Sequence, residues 1–207
     1  MLTHIGHSEK VFLMRIFLSV LIIIFNLQSS TKADDISDFE IDGMSIGDSL
    51  LEYFDKDQIK SAPKLWYPGS DKFYGISFNA NDSKNFEGYT FSLKKNDDKY
   101  IIYDLGGTKS FPNDLKNCKS LKNSIIDSFE PSDKNFKYRE YDYVYKTFGS
   151  GKSIAYISSY RSSSGSIRVY CTDWHELDEN EKNYTDELNV DLSTIEFLNF
   201  LDFEAYK

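Results

Sequence analysis

The chain has 207 residues, of which 28% are charged and 16% aromatic, and its 24 Lys and Arg against 33 Asp and Glu give a net charge of −9. That length suits one domain, or two small halves sharing a core. The acidic balance argues against nucleic acid and against anionic lipid surfaces, both of which select Lys/Arg patches.

The first residues carry the order of a secretory signal. Lys10 and Arg15 supply a positive region, and Ile16 to Phe25 form an apolar run broken only by Ser19. A polar stretch, Asn26 to Lys32, then ends in Thr31-Lys32-Ala33, with small residues at the −3 and −1 positions. Residues 1–33 therefore read as a signal peptide cleaved after Ala33, with Met14 an alternative start. The apolar run is shorter than the roughly 20 residues that a spanning helix needs, so no stable membrane insertion is expected after cleavage. Residues 1–33 hold three basic groups and one acidic group, so the mature domain, 34–207, falls two units further to −11. The expected location is periplasmic or secreted.

Cys118 and Cys171 are the only cysteines. In an oxidising compartment an even pair reads as a disulfide. Closing a loop of roughly 54 residues stabilises by about 4 kcal/mol in the chain-entropy model. With His175 the one histidine after residue 33, too few soft ligands remain for zinc, and neither metal nor cofactor is expected.

Taken in order, Ser45 and Asp48 predict a capping box, with Ile46, Leu50, Leu51 and Phe54 on one helical face. Asp55 to Gln58 cap a second short helix that stops near Pro63, making a helix–turn–helix over 45–61. Strands are predicted at 73–78, 89–94 and 100–105, with a turn at Asn96-Asp97-Asp98 and an end at Gly106-Gly107. Asn113 caps a helix whose apolar stripe is Leu115, Cys118, Leu121, Ile125, Ile126 and Phe129, halted by Pro131. Further strands follow at 136–148, 153–160 and 166–172, separated by turns at 149–152 and 162–165. Ile167, Val169 and Cys171 share an apolar face, so a Cys118–Cys171 bridge pins the helix onto the sheet. Asp173 to Glu187 reads as an acidic loop and Leu188 to Leu192 as a short strand. Ser193-Thr194-Ile195-Glu196 starts a final helix carrying Ile195, Leu198 and Leu201. The fold class is α+β, helices packed on an antiparallel sheet. The order suggests a tandem helix–sheet repeat with halves 34–111 and 112–207, and an architecture that looks similar to the β-lactamase-inhibitor-like fold.

Several fragments imitate chemistry. Gly47-Asp48-Ser49-Leu50 resembles the nucleophile motif of the GDSL esterases. That family places its serine after a buried parallel strand and its histidine in an Asp-x-x-His motif. Here Phe39 to Gly43 is short and charged, and Asp173-Trp174-His175 is one residue short of the spacing. A hydrolase using Ser49 and His175 is thus an alternative, and helix-start chemistry accounts for Ser45, Asp48 and Ser49 without it. Gly149 to Ser153 ends like a phosphate-binding loop, but Lys146 stands where its first glycine belongs, and a strand follows where a helix is needed. Asp173, Glu176, Asp178, Glu179 and Glu181 lack the alternate spacing and central glycine of a calcium loop and read as a solvated charge run.

Tyr141, Tyr143 and Tyr145 alternate on one strand face. They form a candidate binding surface for a protein, peptide or glycan, or else cover the sheet's second face. Trp174, just beyond the disulfide strand, fits either a core plug or part of that surface.

Asp38 to Leu51, together with Cys171-Thr172-Asp173-Trp174 and Leu188 to Leu192, resembles a group of small uncharacterised exported proteins from marine bacteria with AT-rich genomes. The resemblance implies export and the Cys118–Cys171 pairing and carries no activity. The expectation is a non-enzymatic interaction domain whose partner is another envelope protein, the alternatives being the hydrolase and a small-ligand or glycan binder.

Overall fold

The computed structural model describes residues 35–128, 135–145 and 152–207. In chain order the helices are α1 (Lys56–Ser61), α2 (Leu115–Ser128), α3 (Glu176–Lys182) and α4 (Ile195–Phe203). The strands are β1 (Leu65–Tyr67), β2 (Ser70–Asn79), β3 (Gly88–Lys94), β4 (Ile102–Ser110), β5 (Lys137–Val144), β6 (Ile154–Arg161), β7 (Gly165–Asp173) and β8 (Glu187–Thr194). All pairings are antiparallel, in one sheet of order β1-β2-β3-β4-β8-β7-β6-β5. Two four-stranded meanders thus lie side by side, joined where β8 pairs with β4.

Alternation along the strands gives the sheet two unlike faces. Tyr74 and Ile76 of β2, Phe91 and Leu93 of β3, Leu188, Val190 and Leu192 of β8, and Ile167, Val169 and Cys171 of β7 share the apolar face. The segment 36–50 and α1 contribute Ile36, Ile41, Leu50 and Ile59 to this core. α2 lies on the same face over β6, β7 and β8. There Cys118 is bonded to Cys171, both fully buried, as the spacing of the two apolar faces predicts. A surprise in this helix is Lys122, 3% exposed, whose ammonium donates to Glu140 Oε1 at 3.0 Å and to Ser158 Oγ. The opposite face is polar, except where α4 packs Phe197 and Phe200 against Phe73 and Tyr67.

Local chemistry overrides several expectations. The segment after Ser45 is not a helix but turns followed by a single 3-10 turn, Leu50–Glu52. Gly47 N–H donates to Ile102 O, Leu50 N–H to Tyr100 O, and Ile102 N–H to Asp48 O, so this backbone spends its hydrogen bonds on β4. Asp48 still accepts from Ser45 N–H, making the cap without its helix. α1 forms as predicted, with Asp55 N–H donating to Gln58 Oε1. β4 runs through Gly106 and Gly107 instead of ending there. A Cβ at Gly106 would collide with Thr90 Oγ1, and one at Gly107 would lie 2.8 Å from the Phe86 ring, so both glycines admit a neighbour across the strand. Asn113 takes a left-handed φ of 54°, and the capping position of α2 passes to Asp114, which accepts from Asn117 N–H. The acidic loop contains α3, β8 is longer than predicted and central, and β1 went unpredicted. In the last helix Thr194, not Ser193, is the cap, accepting from Phe197 N–H. Phe129, Pro131 and the turn at 149–151 lie outside the described residues.

Candidate binding face

The strand register lays the polar face out in rows. One row crosses the sheet as Ser92, Asp104, Ser193, Ser166, Arg161 and Lys137. The next runs Thr90, Gly106, Asp191, Arg168, Ser159 and Arg139. Beyond it Asn189, Tyr170, Ile157 and Tyr141 stand abreast, and then Glu187, Thr172, Ala155 and Tyr143.

The seam between the two meanders concentrates buried charge. Arg168 Nη2 donates to Asp191 Oδ2 at 2.9 Å, and Ser193 Oγ–H donates to Asp104 Oδ1. Burial, and then the charge of Asp191, push the Asp104 carboxyl up to about 7. Burial also raises Asp191, with Arg168 pulling it back. Burial opposes the charge on Arg168 itself, but the nearby Asp191 outweighs it and holds the guanidinium charged. Burial lifts the Tyr170 hydroxyl well above its usual range and raises Glu187.

Toward β5 the face opens. All eight residues of β5 are exposed, and β6 is its only strand partner among the described residues. Tyr141 and Tyr143 are 44% and 52% exposed. Tyr145 is half-buried, meets Tyr143 edge-on at 5.0 Å and stacks on Trp174 at 5.0 Å, and Trp174 in turn meets Tyr184 at 4.4 Å. Of the four residues singled out in the sequence, Tyr143, Tyr145 and Trp174 are in ring contact, and Tyr141 stands two residues before Tyr143 on the same face of β5. Trp174 is half-buried and outside the core clusters.

The structure separates Ser49 from His175. Ser49 bridges Ile101 at the start of β4, while His175 follows the end of β7, level with the far end of β4. Strand rise over that span puts them roughly 30 Å apart. Ser49 Oγ is also engaged, donating to Lys99 O at 2.6 Å and accepting from Leu51 N–H. Among the described residues no group of His, Cys, Asp and Glu is arranged to hold a metal ion, and no helix is long and apolar enough to cross a membrane.

A larger cavity of about 720 Å³ lies beside Asp42, Tyr53 and Tyr89. Its Asp42 carboxylate is already engaged, accepting from Ser83 Oγ, Asn85 Nδ2 and Tyr89 Oη. Those bonds fasten the β2–β3 loop to the N-terminal segment, which is a structural task.

Sequence reasoning missed Arg139, Arg161 and Arg168. The signal was there: of four arginines in the chain, these three fall within 30 residues, at strand positions, against a background of 20 lysines. No family model, curated protein or solved structure matches the chain.

Proposed function

We propose that the protein is an exported, non-enzymatic interaction domain, working in the periplasm or outside the cell, that holds another envelope protein along β5 and the aromatic cluster beside it. The observation that carries this reading is the edge strand. Its eight consecutive exposed residues have no strand partner on their outer side among the described residues, and Tyr141 and Tyr143 project from it with about half their surface open. An open edge is a template for strand addition by an extended partner segment. Tyrosine and tryptophan supply large contact area at low entropy cost, which suits the rings of Tyr145 and Trp174 alongside. The charged Lys137, Arg139, Glu140 and Asp142 on the same strand discourage indiscriminate pairing, as natural edges do. Export rests on the signal character of residues 1–33.

We also read the sheet as a tandem repeat of β-lactamase-inhibitor-like architecture. Short helical turns and one meander fill 34–111; α2 and a second meander fill most of 112–207. The symmetric strand order about the β4–β8 seam supports that reading. The hydrolase alternative loses ground because Ser49 is committed to Lys99 and remote from His175.

Crosslinking pull-down of the tagged protein from its native envelope, read by mass spectrometry, tests the proposal. One partner recovered in near-equal amount by the wild type and lost by Y141S/Y143S is the expected result. Equal recovery by that variant, or background alone, overturns it.

A further inference from the structure

Arginine is the side chain suited to gripping carboxylate and phosphate oxygens, because its planar fork presents paired donors. This acidic chain places three of its four arginines at one corner of the polar sheet face. Arg139 and Arg168 flank Ser159 in one row, and Arg161 stands beside Ser166 in the next. Adjacent strands are about 4.8 Å apart, so the backbones carrying Arg139 and Arg168 lie within about 10 Å of each other. Lys137 is directly across from Arg161, a like-charge cross-strand pairing that costs stability when nothing offsets it. Only part of this charge is answered. Asp191 takes Arg168, and Asp202 approaches Arg161 at 3.7 Å with both side chains about half exposed. Glu140 at the rim is engaged by Lys122. Arg139 has no ion pair among the described residues, and Lys137 has none either.

The corner is also hollow. A pocket of about 570 Å³ is bounded by the three arginines, by Tyr141, and by Leu198 and Leu201 of α4. A second hollow of about 470 Å³ shares Arg139 and Arg161 and extends past Lys137 to Ser162 and Ser163. On the floor, Ser166 is 3% exposed and its Oγ has no hydrogen-bond partner; the Arg168 Nε is likewise buried and unpartnered. Buried polar atoms without partners are uncommon, and two donors side by side under a cluster of cations are a site lacking its acceptor. Both atoms are buried, so an acceptor reaches them only when the side chains around them shift.

We propose that this corner is a binding site for a small dianion bearing carboxylate or phosphate oxygens, gripped by Arg139 and Arg161 and seated over Ser166 and Arg168. The net negative charge of the whole chain does not oppose this. At physiological ionic strength charges beyond about 8 Å are largely screened, so the local cations decide. The site shares β5 with the protein-contact reading but uses its Arg139 side chain, and needs neither the outer backbone edge of that strand nor Tyr143.

Isothermal titration of the exported chain with inorganic phosphate and, separately, with succinate at matched ionic strength tests the proposal and separates the two chemistries. Saturable binding of at least one is expected, weakened at least about tenfold in R139Q/R161Q. S166A is expected to weaken it less, and Y143S to leave it unchanged. Melting curves of R139Q/R161Q confirm that the variant is folded; if it is not, R139Q alone, on the exposed strand, serves in its place. Absence of saturable binding by both anions, or unchanged affinity in the folded arginine variant, overturns the proposal. Binding that survives there while Y143S abolishes partner capture would leave the interaction reading standing and remove this one.

Discussion

Replacing Asp104 with Asn examines the seam where the two meanders join. Asp104 has its carboxyl pushed up to about 7 by burial and by Asp191, against 3.8 in an unfolded chain. Between those values the folded state holds a proton that the unfolded state releases. The contribution is therefore most favourable below about pH 4 and is lost as the pH rises through 7. Three units correspond to about 4 kcal/mol, an upper bound because Asp104 titrates together with Asp191. The amide introduced by D104N keeps an oxygen to accept from Ser193 and never ionises. D104N should lead the wild type by about 1–2 kcal/mol already at pH 5 and by the full amount at pH 8.5, as much as roughly 10 °C for a domain of this size. Thermal melts at several pH values between 5 and 9, followed by circular dichroism, read the effect. A variant that melts at or below the wild type at pH 8.5 would refute the reasoning, because it would mean that ionised Asp104 is stabilised by Arg168 more than burial penalises it.

Reducing the Cys118–Cys171 bridge, or replacing both cysteines with Ala, removes a constraint of about 4 kcal/mol and should lower Tm by about 8–16 °C; an unchanged melt would contradict a structural role for the bond. At Lys122, E140Q keeps an oxygen that accepts from the buried ammonium but removes its counter-charge, and should cost about 1–2 kcal/mol in denaturant titration. K122M, which removes the buried charge and returns a largely exposed Glu140 to water, should fall within about 1 kcal/mol of the wild type or above it. The opposite ranking of these two variants would sink that account.

Sequence periodicity reveals the elements whose partners lie close along the chain or whose faces are uniformly apolar. β2, β3, β6, β7 and α2 appear where alternation and helical spacing put them, and Cys118 and Cys171 fall on facing apolar surfaces. The failures share a cause in long-range contact. Ser45 and Asp48 carry a genuine cap signal, yet the backbone after them pairs with Tyr100 and Ile102, which local sequence does not reveal. Gly106 and Gly107 look like a strand end because their partners, Thr90 and Phe86, belong to another part of the chain. Of the candidate site, the tyrosine alternation was visible within one strand. The arginine corner was not, since it forms only when β5, β6 and β7 are in register. Lys122 was hidden for the same reason: on a helical wheel it is a lysine among apolar neighbours, and only Glu140 and Ser158 make its burial tolerable.

The strand that unites the sheet is the last to be synthesised. β8 lies between β4 and β7, nearly 80 residues downstream of the first of these partners. Until Glu187–Thr194 emerges, each meander keeps a raw inner border, and the apolar surface spanning Leu105 and Val169 has no bridge. A nascent chain can therefore form hairpins early but cannot close its core. Pairings so distant in sequence are also slow to form. Under the export proposed above, late closure is useful: the chain stays pliable until its final strand arrives, and then locks as one sheet.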